Sequence, residues 1–147
     1  MKQSLKNACL ILACVSLLFG QSGCQQAASL LSSTHFSQTA YNTDKEIKGD
    51  ALALIDRAKG RTRYDTATDD VDQLMKKVDN AISAEQQRTK NTPTVEQWKK
   101  LKTQMSKFFD LWKSKETLSP TFVTDFKKQM SDLFDIIIKT EEEKPRS

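Results

Sequence analysis

The stretch from Thr92 to Lys115, TPTVEQWKKLKTQMSKFFDLWKSK, carries the pattern that decides the fold. Its large apolar residues recur at alternating three- and four-residue steps, which places them on one side of an α-helix. That stripe consists of Trp98, Leu101, Met105, Phe108 and Trp112, and Phe109 widens it. A hydroxyl residue followed by a proline, as at Thr92 and Pro93, is typical of a helix start. The stretch therefore predicts an amphipathic helix with a row of large rings on one side.

Three further segments have the same rhythm, over about 44–59, over 66–87 or 68–87, and from 119 onwards. Gly60 follows the first as a helix stop, and Ser119-Pro120 repeats the hydroxyl-proline start. A spacing that averages 3.5 residues favours near-antiparallel packing in a left-handed bundle, and short connections make sequential helices antiparallel. The predicted fold is all-α, a three- to four-helix antiparallel bundle over residues 44–147.

Length and charge limit the possible functions. A chain of 147 residues has room for one domain. Two of its 23 basic residues, Lys2 and Lys6, lie near the start, and all 19 acidic residues lie at or beyond Asp44. Residues 24–147 therefore carry a net charge of only +2. Nucleic-acid binders need a strong basic excess, so no nucleic-acid partner is predicted.

Residues 1–23 have the pattern of an export signal rather than of a folded element. Lys2 and Lys6 supply a positive start, and the run from Ala8 to Phe19 is apolar apart from Ser16. This run is shorter than the ~20 residues that a membrane-spanning helix requires. An ordinary secretory signal and an uncleaved anchor are the alternatives to a cleaved lipoprotein signal.

The segment Gly20-Gln21-Ser22-Gly23-Cys24 resembles the lipobox of bacterial lipoproteins, in which small residues precede a cysteine that is lipidated. Gln21 stands where that family usually has an aliphatic residue. The resemblance implies that Cys24 carries palmitate and other acyl chains and anchors the chain in a membrane of the cell envelope. Gln25, in place of an Asp, implies the outer membrane facing the periplasm in a Gram-negative host. The resemblance covers residues 1–24 and implies nothing about the helical domain.

Residues 24–43 are predicted to be the lipidated cysteine and a flexible tether. The part from 25 to 43 is rich in Ser, Thr and Gln and contains no charged side chain. A flexible chain of this length has a typical reach of about 25 Å. Leu30, Leu31, Phe36 and Tyr41 are the residues of this stretch that could pack back on the domain.

Candidate catalytic and metal-binding groups are sparse. His35 is the only histidine, and Cys24 is the only cysteine after the export signal. A lone imidazole cannot build a histidine-rich metal site or a Ser-His-Asp arrangement. The acidic group of Asp65, Asp69, Asp70 and Asp72 lacks the ligand ladder of a calcium loop, and acids at a helix start interact favourably with the helix dipole. No enzymatic activity, metal site or cofactor is predicted.

The aromatic residues allow two interpretations. Trp98, Phe108, Phe109, Trp112 and Phe126 form either the bundle core or an apolar surface for a ligand or a protein partner. Phe109 and Trp112 lie on neighbouring faces of their helix, so one of them is expected to be exposed. The lysines of the same helix form either a solvated face or a contact to anionic polymers.

Two functional hypotheses follow from these residues. The first is a non-enzymatic envelope interaction module that binds an envelope protein. The second is a carrier that holds a lipid or other apolar ligand between helices.

Overall fold

The computed structural model describes residues 34–60 and 62–146. These residues form four helices: α1 (Gln38–Arg57), α2 (Thr68–Gln86), α3 (Thr92–Lys115) and α4 (Pro120–Glu142). A short 3₁₀ turn, Tyr64–Ala67, precedes α2. The described part of the chain contains no β-strand. The predicted all-α bundle is therefore confirmed, while the export signal and Cys24 lie outside the described residues.

The helices are arranged in a ring in which each contacts two neighbours. α1 packs against α2 and α4, and α3 packs against the same two helices from the other side. The core fills the space between them, with Trp98 and Trp112 fully buried. The Trp98 ring meets Phe134 edge to face, with ring centres 5.9 Å apart, which is a favourable geometry for aromatic pairs. The apolar stripes predicted from the sequence thus become one shared core.

The first helix begins earlier than the apolar rhythm indicates. α1 starts at Gln38, six residues before Asp44, so residues 38–43 of the predicted tether are helical. The Ser37 hydroxyl caps this start by accepting a hydrogen bond from the Ala40 backbone N–H at 3.2 Å. The first turns of α1 carry no apolar stripe. Contacts made by the residues just before Gln38 hold these turns in place. The predicted tether therefore ends too late in the sequence.

The other helix boundaries follow the sequence signals closely. α3 spans the predicted 92–115, with Pro93 in its first turn. α4 follows Ser119, whose hydroxyl accepts a hydrogen bond from the Phe122 backbone N–H at 3.3 Å. Gly60 follows the end of α1 with φ at +73°, in the left-handed region that favours glycine.

Replacing the Ser119 cap is expected to destabilise the bundle moderately. Ser119→Ala leaves a helix-terminal N–H without its acceptor, which costs about 1 kcal/mol. Thr121→Ala, at an exposed position in the same turn, is the matched control and should cost less than about 0.5 kcal/mol. Urea unfolding of both variants measures the difference. Equal stability losses would contradict the assigned capping role of Ser119.

Candidate functional site

The rings predicted as a possible binding surface lie mainly in the core. Trp98 and Trp112 are fully buried, and Phe108 and Phe109 are 2% and 3% exposed. Phe126 is partly buried against them. In this conformation the four buried rings are core residues and offer no surface to a partner.

The expectation that Phe109 or Trp112 is exposed is wrong, because the connection between α1 and α2 contributes to the burial of Trp112. The Trp112 Nε1–H donates a hydrogen bond to the Thr62 carbonyl at 3.1 Å. The Tyr64 ring lies edge to face with the Trp112 ring, with centres 5.6 Å apart. No local sequence pattern indicates that this connection folds over α3.

The exposed apolar side chains lie elsewhere, on α4. Phe122 is 40% exposed and Ile136 is 50% exposed. Phe126 stacks on Phe108 with ring centres 4.4 Å apart, and Phe122 lies 6.4 Å from Phe126 on the outer side. The stack runs from the core to the surface between α3 and α4.

A cluster of buried charged and polar side chains occupies the end of the bundle where α1 begins and α4 ends. We call it the ionic cluster, and its members are Asp44, Glu85, Arg88, Asn91, Glu141 and Lys144. All except Arg88 are at most 4% exposed, and the Arg88 side chain is 19% exposed. Buried charges are costly unless they are paired, so this arrangement distinguishes the site from the rest of the core.

Arg88 is the central donor of the ionic cluster. Its guanidinium contacts both carboxylate oxygens of Glu141 at 2.8 Å, in the bidentate geometry of strong charge-assisted hydrogen bonds. The same guanidinium donates to Glu85 Oε2 at 2.8 Å. Arg88 thus joins α4 to the end of α2.

Lys144 and Asn91 complete the hydrogen bonding. The Lys144 ammonium donates to Asn91 Oδ1 at 3.0 Å and also to the Glu141 carboxylate. The Asn91 amide donates to the Glu85 carboxylate. The two glutamates are therefore bound from several sides, by groups from the α2–α3 connection and by Lys144, two residues after the end of α4.

The four residues before α1, which we call the docking segment (residues 34–37), are fixed to this end of the bundle. The Ser37 backbone N–H donates to Glu141 Oε1 at 2.6 Å, and Arg88 donates to the His35 carbonyl at 2.6 Å. The Thr34 hydroxyl donates to the Thr89 carbonyl at 2.8 Å. The ionic cluster thus holds the chain at the point where it enters the domain.

The C-terminal tail reinforces the same contact. The Phe36 backbone N–H donates to the Pro145 carbonyl at 2.8 Å. The Arg146 guanidinium lies over the Phe36 ring, 4.6 Å from its centre, in a cation–π contact. Phe36, one of the residues that could pack back on the domain, therefore does so through the tail. The His35 side chain itself is exposed.

The protonation equilibria within the ionic cluster differ between its members. Burial, together with the nearby Glu85 and Glu141, raises the pKa of Asp44 to about 7 against the opposing effect of Lys144 and Arg88. Burial also acts to raise the pKa of Glu141. Hydrogen bonds from Arg88, Lys144 and the Ser37 backbone outweigh it, so this pKa lies below its usual value. Glu141 is therefore the stabilised anion of the cluster, and Asp44 is the carboxyl that burial favours in its neutral form.

The sequence indicates this cluster through the positions of its carboxylates in the apolar rhythm. Glu141 continues the rhythm of Phe134 and Ile137, at steps of three and four residues. Glu85 stands three and four residues after Ile82 and Ala81, and Asp44 stands three residues before Ile47. A carboxylate at a core-facing position of a helix indicates a buried charge that needs a partner. The identity of that partner depends on the tertiary fold.

The other residues considered from the sequence are on the surface. Asp65, Asp69, Asp70 and Asp72 are exposed, and Asp70 pairs with Arg57 at 2.5 Å. Among the described residues, no group of three His, Cys, Asp or Glu side chains is arranged to hold a metal ion. None of the described helices has the length and hydropathy to cross a membrane.

The ionic cluster can hold and orient a segment of chain. Its hydrogen-bond donors and acceptors are largely paired with other groups of the protein. Comparison of this chain with protein families, curated proteins and solved structures gave no match.

Proposed function

We propose that this protein is a lipoprotein of the bacterial envelope, anchored through acyl chains on Cys24, whose helical bundle is a non-enzymatic interaction module. The observation that carries the proposal is the fixed docking segment. Arg88 and Glu141 bind the backbone of residues 35 and 37, so the chain enters the bundle at one defined end. This attachment fixes which end of the bundle is joined to the preceding residues.

The length of chain before the docking segment sets the distance to the membrane. Nine residues lie between Cys24 and Thr34, and the ten steps from one to the other span at most about 35 Å when the chain is fully extended. The 24 residues of α3 add about 36 Å at 1.5 Å per residue. With Cys24 in the membrane, the end of the bundle that carries the ionic cluster is the end joined to the tether, and the sides and far end of the bundle are offered to other molecules.

The alternative function, a carrier of a lipid or other apolar ligand, demands a larger rearrangement. The space between α3 and α4 is filled by the stacked Phe108 and Phe126 rings. A ligand could enter there only after these helices separate. The interaction module needs no such opening, and we therefore favour it.

Lipidation is tested by replacing Cys24. In host cells grown with a palmitate analogue, Cys24→Ala is expected to lose the label and to leave the membrane fraction, because stable anchoring requires the acyl chains. Cys14→Ala is the matched control, since this cysteine lies within the export signal and its loss should change neither result. A Cys24→Ala protein that keeps its label, or a wild-type protein without label, would sink the anchoring proposal.

The interaction role is tested by crosslinking in intact host cells, followed by capture through a C-terminal tag. One envelope protein recovered strongly with Cys24 and weakly with Cys24→Ala supports the module. An eluate that contains lipid and no crosslinked protein supports the carrier instead. A bound lipid should also raise the melting temperature when it is added back.

A further inference from the structure

We propose that the surface between α3 and α4 binds a second copy of this chain, in a parallel dimer whose two-fold axis runs along the bundle. We call this surface the α3–α4 face. The inference rests on the proposed anchoring through Cys24 and specifies the interaction partner of the bundle.

The α3–α4 face contains the exposed apolar side chains identified above. Along α4 the strip consists of Phe122, Phe126, Gln129, Leu133 and Ile136, spaced by four and three residues. Phe122 and Ile136 are the large hydrophobic side chains that are exposed in the described part of the chain, and both belong to this strip. Leu111 adds a partly buried apolar side chain from α3. Exposed apolar residues that lie on one strip favour a helix-packing contact, whereas exposed apolar residues scattered singly over a surface do not.

Ion pairs cross the other three seams between neighbouring helices. Lys77 of α2 binds Asp50 of α1 at 2.6 Å. Lys102 of α3 binds Asp79 of α2 at 2.5 Å. Lys48 of α1 binds Asp135 of α4 at 2.6 Å.

In the described chain no ion pair crosses between α3 and α4, although charged residues flank this seam on both sides. Lys100 and Lys107 lie on the α3 side, four and three residues from Gln104, and Lys107 lies four residues from Leu111. Asp125 and Asp132 lie on the α4 side, with the exposed Lys128 between them. Within the described residues, none of the two lysines of α3 and the two aspartates of α4 has an ion-pair partner. The face therefore has a pair of lysines on one flank and a pair of aspartates on the other, and each pair can meet the opposite pair of a second copy.

The heights of the charges match along the bundle. Two ring pairs across the seam set the antiparallel register of α3 and α4: Trp98 with Phe134, and Phe108 with Phe126. In this register the positions opposite Lys107 and Lys100 lie within two residues of Asp125 and Asp132, respectively. At 1.5 Å per residue the paired charges differ in height by at most about 3 Å. A two-fold axis along the bundle brings α3 of one copy onto α4 of the other at equal height, and so brings Lys107 to Asp125, and Lys100 to Asp132, of the second copy.

Membrane anchoring favours the same orientation. A two-fold axis parallel to the helices directs both ionic clusters the same way, so that both Cys24 residues can enter one membrane. An antiparallel dimer would direct one of them away from the membrane.

The test is a charge swap in the intact chain, purified from membranes and measured in detergent by sedimentation equilibrium. Lys107→Asp and Asp125→Lys each place like charges opposite one another, twice per dimer, and should raise the dimer dissociation constant about tenfold or more. The double variant, with both charges exchanged, should restore the wild-type value. Lys76→Asp and Asp72→Lys, at exposed positions of α2, are the matched controls and should leave it unchanged.

Two outcomes overturn the dimer proposal. One is a chain that is monomeric at the highest concentration reached, and the other is a dimer that neither single reversal weakens. These outcomes are distinguishable from a failure of anchoring. A chain that loses its label in Cys24→Ala, stays monomeric and crosslinks to a different envelope protein retains the proposed function without the dimer. Unchanged melting temperatures of the monomeric variants would show that they fold.

Discussion

Replacing Arg88 with methionine is expected to lower the free energy of unfolding by about 3 kcal/mol or more. The substitution leaves the carboxylates of Glu85 and Glu141 buried without their shared guanidinium, and removal of one partner from a buried ion pair costs about 3–5 kcal/mol. Methionine preserves much of the apolar volume of the arginine stem. The loss therefore reports the charge and its hydrogen bonds rather than a cavity. Urea unfolding at pH 7 measures it.

Arg57→Met is the matched control for this measurement. Arg57 forms its ion pair with Asp70 at the surface, where the two side chains are 44% and 53% exposed. Exposed pairs of this kind contribute about 1 kcal/mol or less. Adding Glu141→Gln to Arg88→Met should recover part of the loss, because Lys144 alone cannot neutralise both buried glutamates and the glutamine removes the excess negative charge. Equal effects of Arg88→Met and Arg57→Met would show that the ionic cluster is not a stabilising centre.

Asp44→Asn is expected to stabilise the protein at alkaline pH, by up to about 4 kcal/mol. The pKa of Asp44 rises from 3.8 to about 7 on folding, and each pKa unit corresponds to about 1.4 kcal/mol. The folded state therefore holds this proton more tightly than the unfolded state does. The contribution of Asp44 to stability falls as the pH rises from about 4 to 7 and is constant above that range.

The charged groups facing Asp44 fix the sign of this effect. Glu85 and Glu141 disfavour its ionised form, and Lys144 and Arg88 favour it. Asparagine is neutral at every pH, so its advantage over aspartate should grow by about 2–3 kcal/mol between pH 5 and pH 8. Asp72→Asn, at an exposed position of α2, is the control and should change stability by less than about 0.5 kcal/mol at both pH values. A constant difference between Asp44→Asn and wild type would contradict the assigned protonation of Asp44.

The helices could be predicted from the sequence because the residues that start a helix, and those that form its apolar stripe, lie within the helix or next to it. The hydroxyl-proline starts at Thr92 and Ser119 and the three-four rhythm of the apolar residues placed α3 and α4 within a few residues. The start of α1 at Gln38 could not be found in this way, since the contacts of Ser37 with Glu141 join residues 104 positions apart. The fold of a bundle follows from periodicity, whereas its edges depend on tertiary contacts.

The ionic cluster illustrates a similar division. Glu85 and Glu141 occupy core-facing positions in their helices, so the presence of buried carboxylates could be predicted. Arg88 lies in the connection after α2, which has no periodic pattern. Its role as their common partner could be read only from the structure. The burial of Trp98 differs from this, because the helical spacing of the apolar residues is enough to indicate it.

The ionic cluster also bears on the order in which the domain can fold. It joins Asp44 and the docking segment, near the start of the domain, to Glu141 and Lys144, which are the last of its members to be synthesised. The cluster end of the bundle therefore cannot close until nearly the whole domain has left the ribosome. Partly synthesised chains lack this closure, and the final helix completes the fold.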